Sequence, residues 1–104
     1  MKPSINFTIH DYQVLVENLA LKRGFDKETV PETFTLLIEE IGELAKAIRK
    51  NNGQKVDNNS LEYNIEEEAA DVFFLLLDLC NHLNIDLAEA FRKKEIKNQT
   101  RVWN

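Results

Sequence analysis

Two pairs of acidic residues are the first candidates for chemistry in this sequence. Glu40 and Glu43 form one pair, and Glu68 and Asp71 form the other. Residues three apart lie on the same face of an α-helix, so each pair brings two negative charges together. For either pair alone, a solvated acidic surface is a sufficient explanation. Together the pairs could supply four carboxylates to one point, and Mg²⁺ and Mn²⁺ prefer such oxygen ligands.

A row of basic and amide side chains lies near the end of the chain. The last predicted helix begins with an apolar stripe, and the same face then continues with Lys94, Lys97, Asn98 and Arg101. Cations that face inward need an anionic partner, because a buried unpaired charge is costly. These side chains could pair with the acids, or they could bind phosphate oxygens. A carboxylate-bound metal facing such a row would suit a triphosphate.

Four predicted helices position these residues. Capping boxes begin at Thr8 and Thr29, and Asp86 caps the last helix. Gly24 and Gly53 follow the first two helices as stop signals. No strand pattern is present, and the short connections predict antiparallel neighbours in an all-α four-helix bundle, one domain over residues 1–104. The predicted bounds are about 8–23, 29–51, 61–83 and 86–101, with a polar loop at 52–60.

Apolar patterning places the acids close to buried surface and predicts self-association. The second predicted helix has one apolar stripe, made of Phe34, Leu37, Ile38, Ile41, Leu44, Ala45 and Ile48. Glu40 and Glu43 lie on a flank near this stripe, and Gly42 between them would be explained by close approach of another helix or a ligand. The segment 72–80 is apolar on nearly every side. One small chain barely covers such a helix, so an oligomer is expected.

Composition excludes several other classes of protein. The net charge of −5 argues against nucleic acid as the main partner. The apolar run from Val72 to Leu77 is too short to span a bilayer, and the start of the chain does not resemble a signal peptide. The only cysteine, Cys80, lies in an apolar stretch and is interpreted as a core residue, which fits a cytoplasmic protein. Neither histidine has a glutamate three residues before it, as a di-iron bundle requires.

Three motifs resemble those of the MazG-like nucleotide pyrophosphohydrolases. EEIGE at 39–43 matches the EExxE motif of that family, and EAAD at 68–71 matches its ExxD motif. KEIKNQTR at 94–101 resembles its trailing basic motif. The three occur in the order and spacing of the family, and the resemblance extends over about residues 7 to 101.

The resemblance implies an enzyme that assembles as a dimer or tetramer. It implies Mg²⁺-dependent cleavage of nucleoside triphosphates between the α- and β-phosphates, with Mn²⁺ as a substitute. The residues that it assigns as metal ligands are Glu40, Glu43, Glu68 and Asp71. Glu39 would position or deprotonate the attacking water. The phosphates would be bound by Lys94, Lys97, Asn98 and Arg101.

Residues for the base are the least defined part of this prediction. Family members use the first helix and its lead-in, which here offer Phe7, His10 and Gln13. Phe7 is equally explained as a hydrophobic staple before the Thr8 cap, and His10 as a solvent-facing residue. Trp103 could stack on a base, but packing is the favoured explanation.

Two alternatives to this function remain open at this point. Phosphoribosyl-ATP pyrophosphohydrolase shares the fold and the acidic motifs, although the wording of the motifs favours the MazG-like branch. The other alternative is a catalytically silent helical oligomer that acts as an interaction module. Such a module need not retain all five acids, which favours an enzyme.

Overall fold

The computed structural model describes residues 1–51 and 64–103. In this part of the chain there are four α-helices and one short 3-10 turn at Phe25–Lys27, as predicted for an all-α fold. None of the described helices combines the length and hydropathy needed to cross a bilayer. The helices are α1 (Ile9–Arg23), α2 (Val30–Asn51), α3 (Ile65–His82) and α4 (Leu87–Gln99).

The predicted caps at the helix starts are confirmed. Thr8 and Asp11 form a reciprocal capping box, in which the Asp11 amide donates to Thr8 Oγ1 at 3.1 Å and the Thr8 amide donates to Asp11 Oδ2 at 2.9 Å. Thr29 and Glu32 make the same exchange before α2. Each pair satisfies amide groups that have no partner within the helix. The first helix ends at Gly24, whose φ of 84° suits glycine.

The predicted start of the third helix is wrong. The helix begins at Ile65, and Asn64 precedes it as a non-helical cap whose Oδ1 accepts a hydrogen bond from the Glu67 amide at 3.1 Å. An asparagine at this position offers its side chain to the amides of the first turn. The predicted loop at 52–60 and Gly53 lie outside the described residues. The single-domain boundary remains a prediction.

The chain divides into two compact units. One unit comprises Glu28–Leu76 and therefore holds α2 and the first part of α3. The other comprises Met1–Lys27 with Leu77–Asn104, and holds α1, the end of α3 and α4. In this second unit the buried side chains include Leu15, Val16, Ala20, Leu77 and Cys80. Cys80 is a core residue, as predicted, and burial raises the pKa of its thiol.

The apolar stripe predicted for α2 is only partly buried. Leu37 is buried and Leu44 is half-buried. Phe34 is 51% exposed and Ile38 is 50% exposed. Ile41, Ala45 and Ile48 are also exposed. The stripe therefore divides into a covered edge and an exposed seam, which we define as Phe34, Ile38, Ile41, Ala45 and Ile48.

Candidate metal centre

Three of the predicted metal ligands meet in the unit Glu28–Leu76. Glu40 on α2 and Glu68 and Asp71 on α3 each place a carboxylate oxygen within 4.8 Å of the other two. Glu40 and Glu68 are half-buried, and Asp71 is exposed. Two helices thus present three like charges to one point, which we call the carboxylate cluster.

The placement of Glu40 follows from the two faces of α2. At about 100° per residue, Glu40 falls in the middle of the face that carries Thr33, Leu37 and Ala47, all of them buried. The exposed seam is centred about 100° further round the helix. A carboxylate in the centre of a buried face is not solvated like a surface residue, so it needs a partner.

The two acids of α3 face the same way as the buried residue Leu75. Leu75 follows Glu68 by seven residues and Asp71 by four, so all three lie along one line of the helix. The acidic pair therefore continues the line of Leu75 toward the start of α3, where Glu68 is half-buried and Asp71 is exposed.

The electrostatics of the cluster disfavour the charged form of Glu40. The pKa of Glu40 is raised by burial first, and then by the negative charges of Asp71, Glu68, Glu43 and Glu39. The other four predicted acids thus all act on the carboxyl group of Glu40. Within the described part of the chain, every charge that shifts this pKa is another carboxylate. A bound cation would remove this repulsion.

Glu43, Glu39 and Gly42 lie at the margin of the cluster. Glu43, predicted as the fourth ligand, is exposed and is not among the three converging carboxylates, although its charge reaches Glu40. Glu39 is also exposed. A Cβ added at Gly42 would meet no atom within 4 Å, so the expected close approach by another helix is not made by the described part of this chain.

The predicted phosphate-binding residues belong to the unit that contains α4. Lys94 and Lys97 are exposed, so the prediction that these two side chains face inward is wrong. Asn98 is half-buried, and its Oδ1 is shielded from solvent without a hydrogen-bond partner among the described residues. Arg101 follows the end of α4, and the carbon of its guanidinium lies 4.6 Å from the ring centroid of Trp103. Trp103 is itself exposed, so it packs against Arg101 rather than in a core.

The three base-contact candidates differ sharply in their surroundings. Phe7 is half-buried and makes an edge-to-face contact with Tyr12, with ring centroids 5.3 Å apart. His10 is exposed and lines a cavity of about 280 Å³ with Gln13, Glu17 and other residues of the same unit. The carboxamide of Gln13 is buried and hydrogen-bonded within the chain.

Comparisons with known proteins agree with this fold. YpjD from Bacillus subtilis (strain 168), an uncharacterised protein, is 39% identical over 66 residues, which are 62% of this chain and 60% of YpjD. The crystal structure of Bacillus subtilis YpjD, a candidate pyrophosphatase, has a TM-score of 0.78 at 31% identity and covers 95% of this chain and 100% of that chain. The structure of iMazG from Vibrio DAT 722 shares the fold, with a TM-score of 0.67 at 22% identity over 94% of this chain and 100% of that chain.

A family match places the acidic and basic residues in one known domain. Residues 28–103 match the MazG nucleotide pyrophosphohydrolase domain. This segment contains the carboxylate cluster and α4, and it amounts to well over half of the sequence. The chain therefore belongs to the MazG nucleotide pyrophosphohydrolase family.

Proposed function

We propose that this member of a pyrophosphohydrolase family hydrolyses nucleoside triphosphates, ribo- or deoxyribo-, to the monophosphate and pyrophosphate, with Mg²⁺ as cofactor and Mn²⁺ as a substitute. The observation that carries the proposal is the convergence of Glu40, Glu68 and Asp71 from two helices. Burial and four neighbouring carboxylates raise the pKa of Glu40, and a bound cation would favour its charged form.

The donor set fits a hard divalent cation. The converging atoms are all carboxylate oxygens, with no histidine or cysteine in the group. Such ligands suit Mg²⁺ or Mn²⁺, whereas zinc sites use nitrogen and sulfur ligands. In this proposal Glu40, Glu68 and Asp71 bind the metal, and Glu43 joins them from the next turn of α2. Mg²⁺ commonly binds through a few carboxylates and completes its shell with waters and substrate phosphates.

The protein residues then act on water and on the phosphates. Glu39 orients the attacking water and accepts its proton. The water oxygen forms a bond to the α-phosphorus, the bond from that phosphorus to the α–β bridging oxygen breaks, and pyrophosphate leaves with that oxygen. A bound divalent cation supplies electrostatic stabilisation of the triphosphate and of the charge that develops on the leaving group.

The phosphates are assigned to α4 and the residues that follow it. Lys94 and Lys97 supply mobile point charges, which their exposure permits. Arg101 supplies a planar fork for two phosphate oxygens, and its stacking on Trp103 restricts that plane before substrate binds. Asn98 contributes its amide to the same group. These four assignments come from the family motif at 94–101.

The base is assigned to the start of the chain. Phe7 offers an aromatic face, and His10 offers a ring nitrogen at a cavity whose volume of about 280 Å³ accommodates a small planar ligand. Gln13 lines the same cavity, but both hydrogens of its Nε2 are donated within the chain. We therefore assign base contact to Phe7 and His10, and give Gln13 a different role below.

We also propose that the enzyme is a homo-oligomer through the exposed seam of α2. Its five residues recur with spacings of four, three, four and three, which is the spacing of a helix–helix contact. Phe34 and Ile38 each leave about half of their surface uncovered. In the same unit Val72, Phe73 and Phe74 are only half-buried. A second copy of α2 would cover the exposed seam.

The cytoplasm is the proposed location and small nucleotides are the proposed partners. The buried free thiol of Cys80 is suited to a reducing compartment. The net charge of −5 does not favour a nucleic-acid backbone as ligand.

The test is pyrophosphate release from a panel of ribo-, deoxyribo- and modified triphosphates and phosphoribosyl-ATP, with Mg²⁺, with Mn²⁺ and with EDTA. Metal-dependent formation of monophosphate and pyrophosphate supports the proposal, and the ranking of substrates identifies the base and sugar. A preference for phosphoribosyl-ATP would assign the chain to that branch of the superfamily. No release from any substrate, together with no stoichiometric Mg²⁺ or Mn²⁺ binding, would indicate a silent interaction module.

A further inference from the structure

Gln13 on α1 is a buried polar residue with an unusual number of partners. Its side chain is in the core of its unit, with only 6% of the residue exposed. Its Nε2 donates one hydrogen bond to Asn81 Oδ1 at 3.0 Å and one to the carbonyl of Ile85 at 2.8 Å. Both hydrogens of the amide are therefore in use.

The same carboxamide also caps α4. Gln13 Oε1 accepts a hydrogen bond from the amide of Leu87, the first residue of α4, at 2.9 Å. Asn81 in turn donates from Nδ2 to the carbonyl of Gln13 at 2.9 Å. We call these four hydrogen bonds the Gln13 clasp. The clasp joins α1, the end of α3 and the start of α4.

The clasp acts at the start of α4, a helix that packs only shallowly on the rest of its unit. The amide of Leu87 is among those that receive no partner from their own helix, and Asp86 caps only the amide of Glu89, at 3.2 Å. No residue of α4 is fully buried. Leu87, Glu89 and Asn98 are half-buried, so side-chain packing holds α4 only in part, and Gln13 adds a hydrogen bond at its N-terminal end.

The clasp also contacts the turn before α4, which has backbone hydrogen bonds of its own, from Asn84 to the carbonyl of Asn81 and from Ile85 to that of Cys80. Asn84 adopts a left-handed conformation with φ of 56°, which is uncommon for a residue other than glycine. The carbonyl of the next residue, Ile85, is the one that Gln13 Nε2 binds. The clasp thus binds the last residues of a tight turn as well as the first residue of the helix.

We propose that Gln13 is a positioning residue for the phosphate-binding row, because it fixes the start of α4 and hence the direction in which Lys94 and Arg101 are presented. This inference rests on the proposed function, which assigns phosphate binding to α4. It replaces base contact as the role of Gln13, since the amide has no donor left for a base edge. It also assigns a role to Asn81, which the sequence motifs do not single out.

The test compares Gln13→Ala with Asn18→Ala, an exposed amide on the same helix. We expect Gln13→Ala to raise the KM for the triphosphate roughly tenfold, with kcat and the Kd for Mg²⁺ changed by less than about twofold. Hydrogen exchange of the Leu87 amide should accelerate by at least about tenfold, because its acceptor is gone. Asn18→Ala should change none of these quantities.

The split between KM and kcat separates positioning from simple loss of folded protein. A smaller folded fraction would lower the apparent kcat and leave KM unchanged. Asn81→Ala provides a second variant, because it removes two of the four clasp hydrogen bonds but keeps Gln13 Oε1 for Leu87 and Gln13 Nε2 for the carbonyl of Ile85. It should give a KM between those of wild type and Gln13→Ala, and it carries the test if Gln13→Ala does not fold.

Two results would overturn the inference. Unchanged exchange at Leu87 in Gln13→Ala would show that the clasp does not hold α4. Faster exchange with an unchanged KM would show that it holds α4 without serving the phosphates. A wild-type protein that releases no pyrophosphate from any substrate would instead overturn the proposed function, while the exchange measurement would still decide whether the clasp exists.

Discussion

The carboxylate cluster and the Gln13 clasp are both polar regions inside a small helical protein, and they are built in opposite ways. In the clasp, the side-chain amides of Gln13 and Asn81 donate three hydrogen bonds, each of 3.0 Å or less. In the cluster, three carboxylates lie within 4.8 Å of one another, and burial and like charge raise the pKa of Glu40. One region is completed by hydrogen bonds within the chain, and in the proposed function the other is completed by a divalent cation.

The contrast separates the scaffold from the site. A buried polar group that is fully hydrogen-bonded stabilises the fold, whereas crowded like charges reduce the free energy of unfolding. Proteins retain such unfavourable arrangements where a ligand or a reaction needs them. We therefore expect substitutions in the two regions to have opposite effects on stability and unequal effects on activity.

The largest effect on activity is expected from neutralising one of the proposed metal ligands. Glu68→Gln should reduce kcat/KM by roughly 10²–10³-fold, the range found when one electrostatic contributor to a reaction centre is removed. The free energy of unfolding of the apoprotein should not fall, because the substitution removes repulsion. Steady-state kinetics and thermal unfolding in EDTA measure the two quantities.

The neighbouring residue provides the matched control for this variant. Glu67 is exposed, lies on the same first turn of α3 and is not among the converging carboxylates. Glu67→Gln makes the same chemical change and should leave activity within about twofold of wild type. Equal loss of activity in both variants would mean that charge on α3, rather than ligation, matters.

The next effect is a loss of stability at the clasp. Asn81→Ala leaves Gln13 without its side-chain partner and should lower the free energy of unfolding by about 1–3 kcal/mol. The melting temperature should fall by several degrees, since about 1 kcal/mol corresponds to roughly 4–8 °C in a domain of this size. If Asn81→Ala were as stable as Asn18→Ala, the clasp would not stabilise the fold and the contrast with the carboxylate cluster would be wrong.

A smaller effect on activity is expected at α4. Lys94→Ala should raise KM roughly tenfold without changing the affinity for Mg²⁺, because it removes one charge-assisted contact to phosphate. Lys93 is the matched control, being exposed on the same helix but outside the row. If Lys93→Ala raised KM equally, the effect would come from the general positive charge of α4 and not from a contact between Lys94 and a phosphate.

The smallest effect concerns pH and distinguishes two glutamates of α2. Burial and neighbouring charge raise the pKa of Glu40 above 4.5. Its contribution to apoprotein stability is therefore present at low pH and is lost as pH rises through the raised pKa. The backbone and side-chain hydrogen bonds with Thr29 lower the pKa of Glu32 below 4.5, so its contribution is present at neutral pH and is lost on acidification.

Unfolding in EDTA across pH 4–8 tests this assignment. Glu40→Gln should be more stable than wild type at neutral pH, and the difference should shrink as pH falls through the raised pKa of Glu40. Glu32→Gln should show the reverse order at neutral pH. If the difference in stability between Glu40→Gln and wild type did not change with pH, the pKa of Glu40 would not be raised in the way described.

Local patterns in the sequence predicted much of the fold. Thr8, Thr29 and Asp86 cap helices as expected, because a capping residue acts on amides only two or three positions away. Asn64 carries the same signal three residues before Glu67, and the predicted helix start near residue 61 misses it. Periodicity found the apolar residues of α2 but not which of them this chain covers, because that depends on partners outside the helix.

The site was predictable to the extent that it is local. The spacing of Glu68 and Asp71 placed them on one face of α3, and the structure brings Glu40 to them. The predicted roles of these acids, of Glu43 and of the α4 row stay predictions. The clasp could not be foreseen, because Gln13 and Asn81 are 68 residues apart and neither belongs to a motif.

The exposed seam of α2 has a consequence in mass action. If a second copy covers Phe34 and Ile38, folded chains are stabilised by association, so the melting temperature must rise with protein concentration. Specific activity should fall on dilution below the dissociation constant of the assembly. A charge at Ile38, as in Ile38→Glu, should shift that constant upward, whereas Leu21→Glu, at an exposed apolar residue of α1, should not. Total protein concentration would then control the number of folded, competent catalysts.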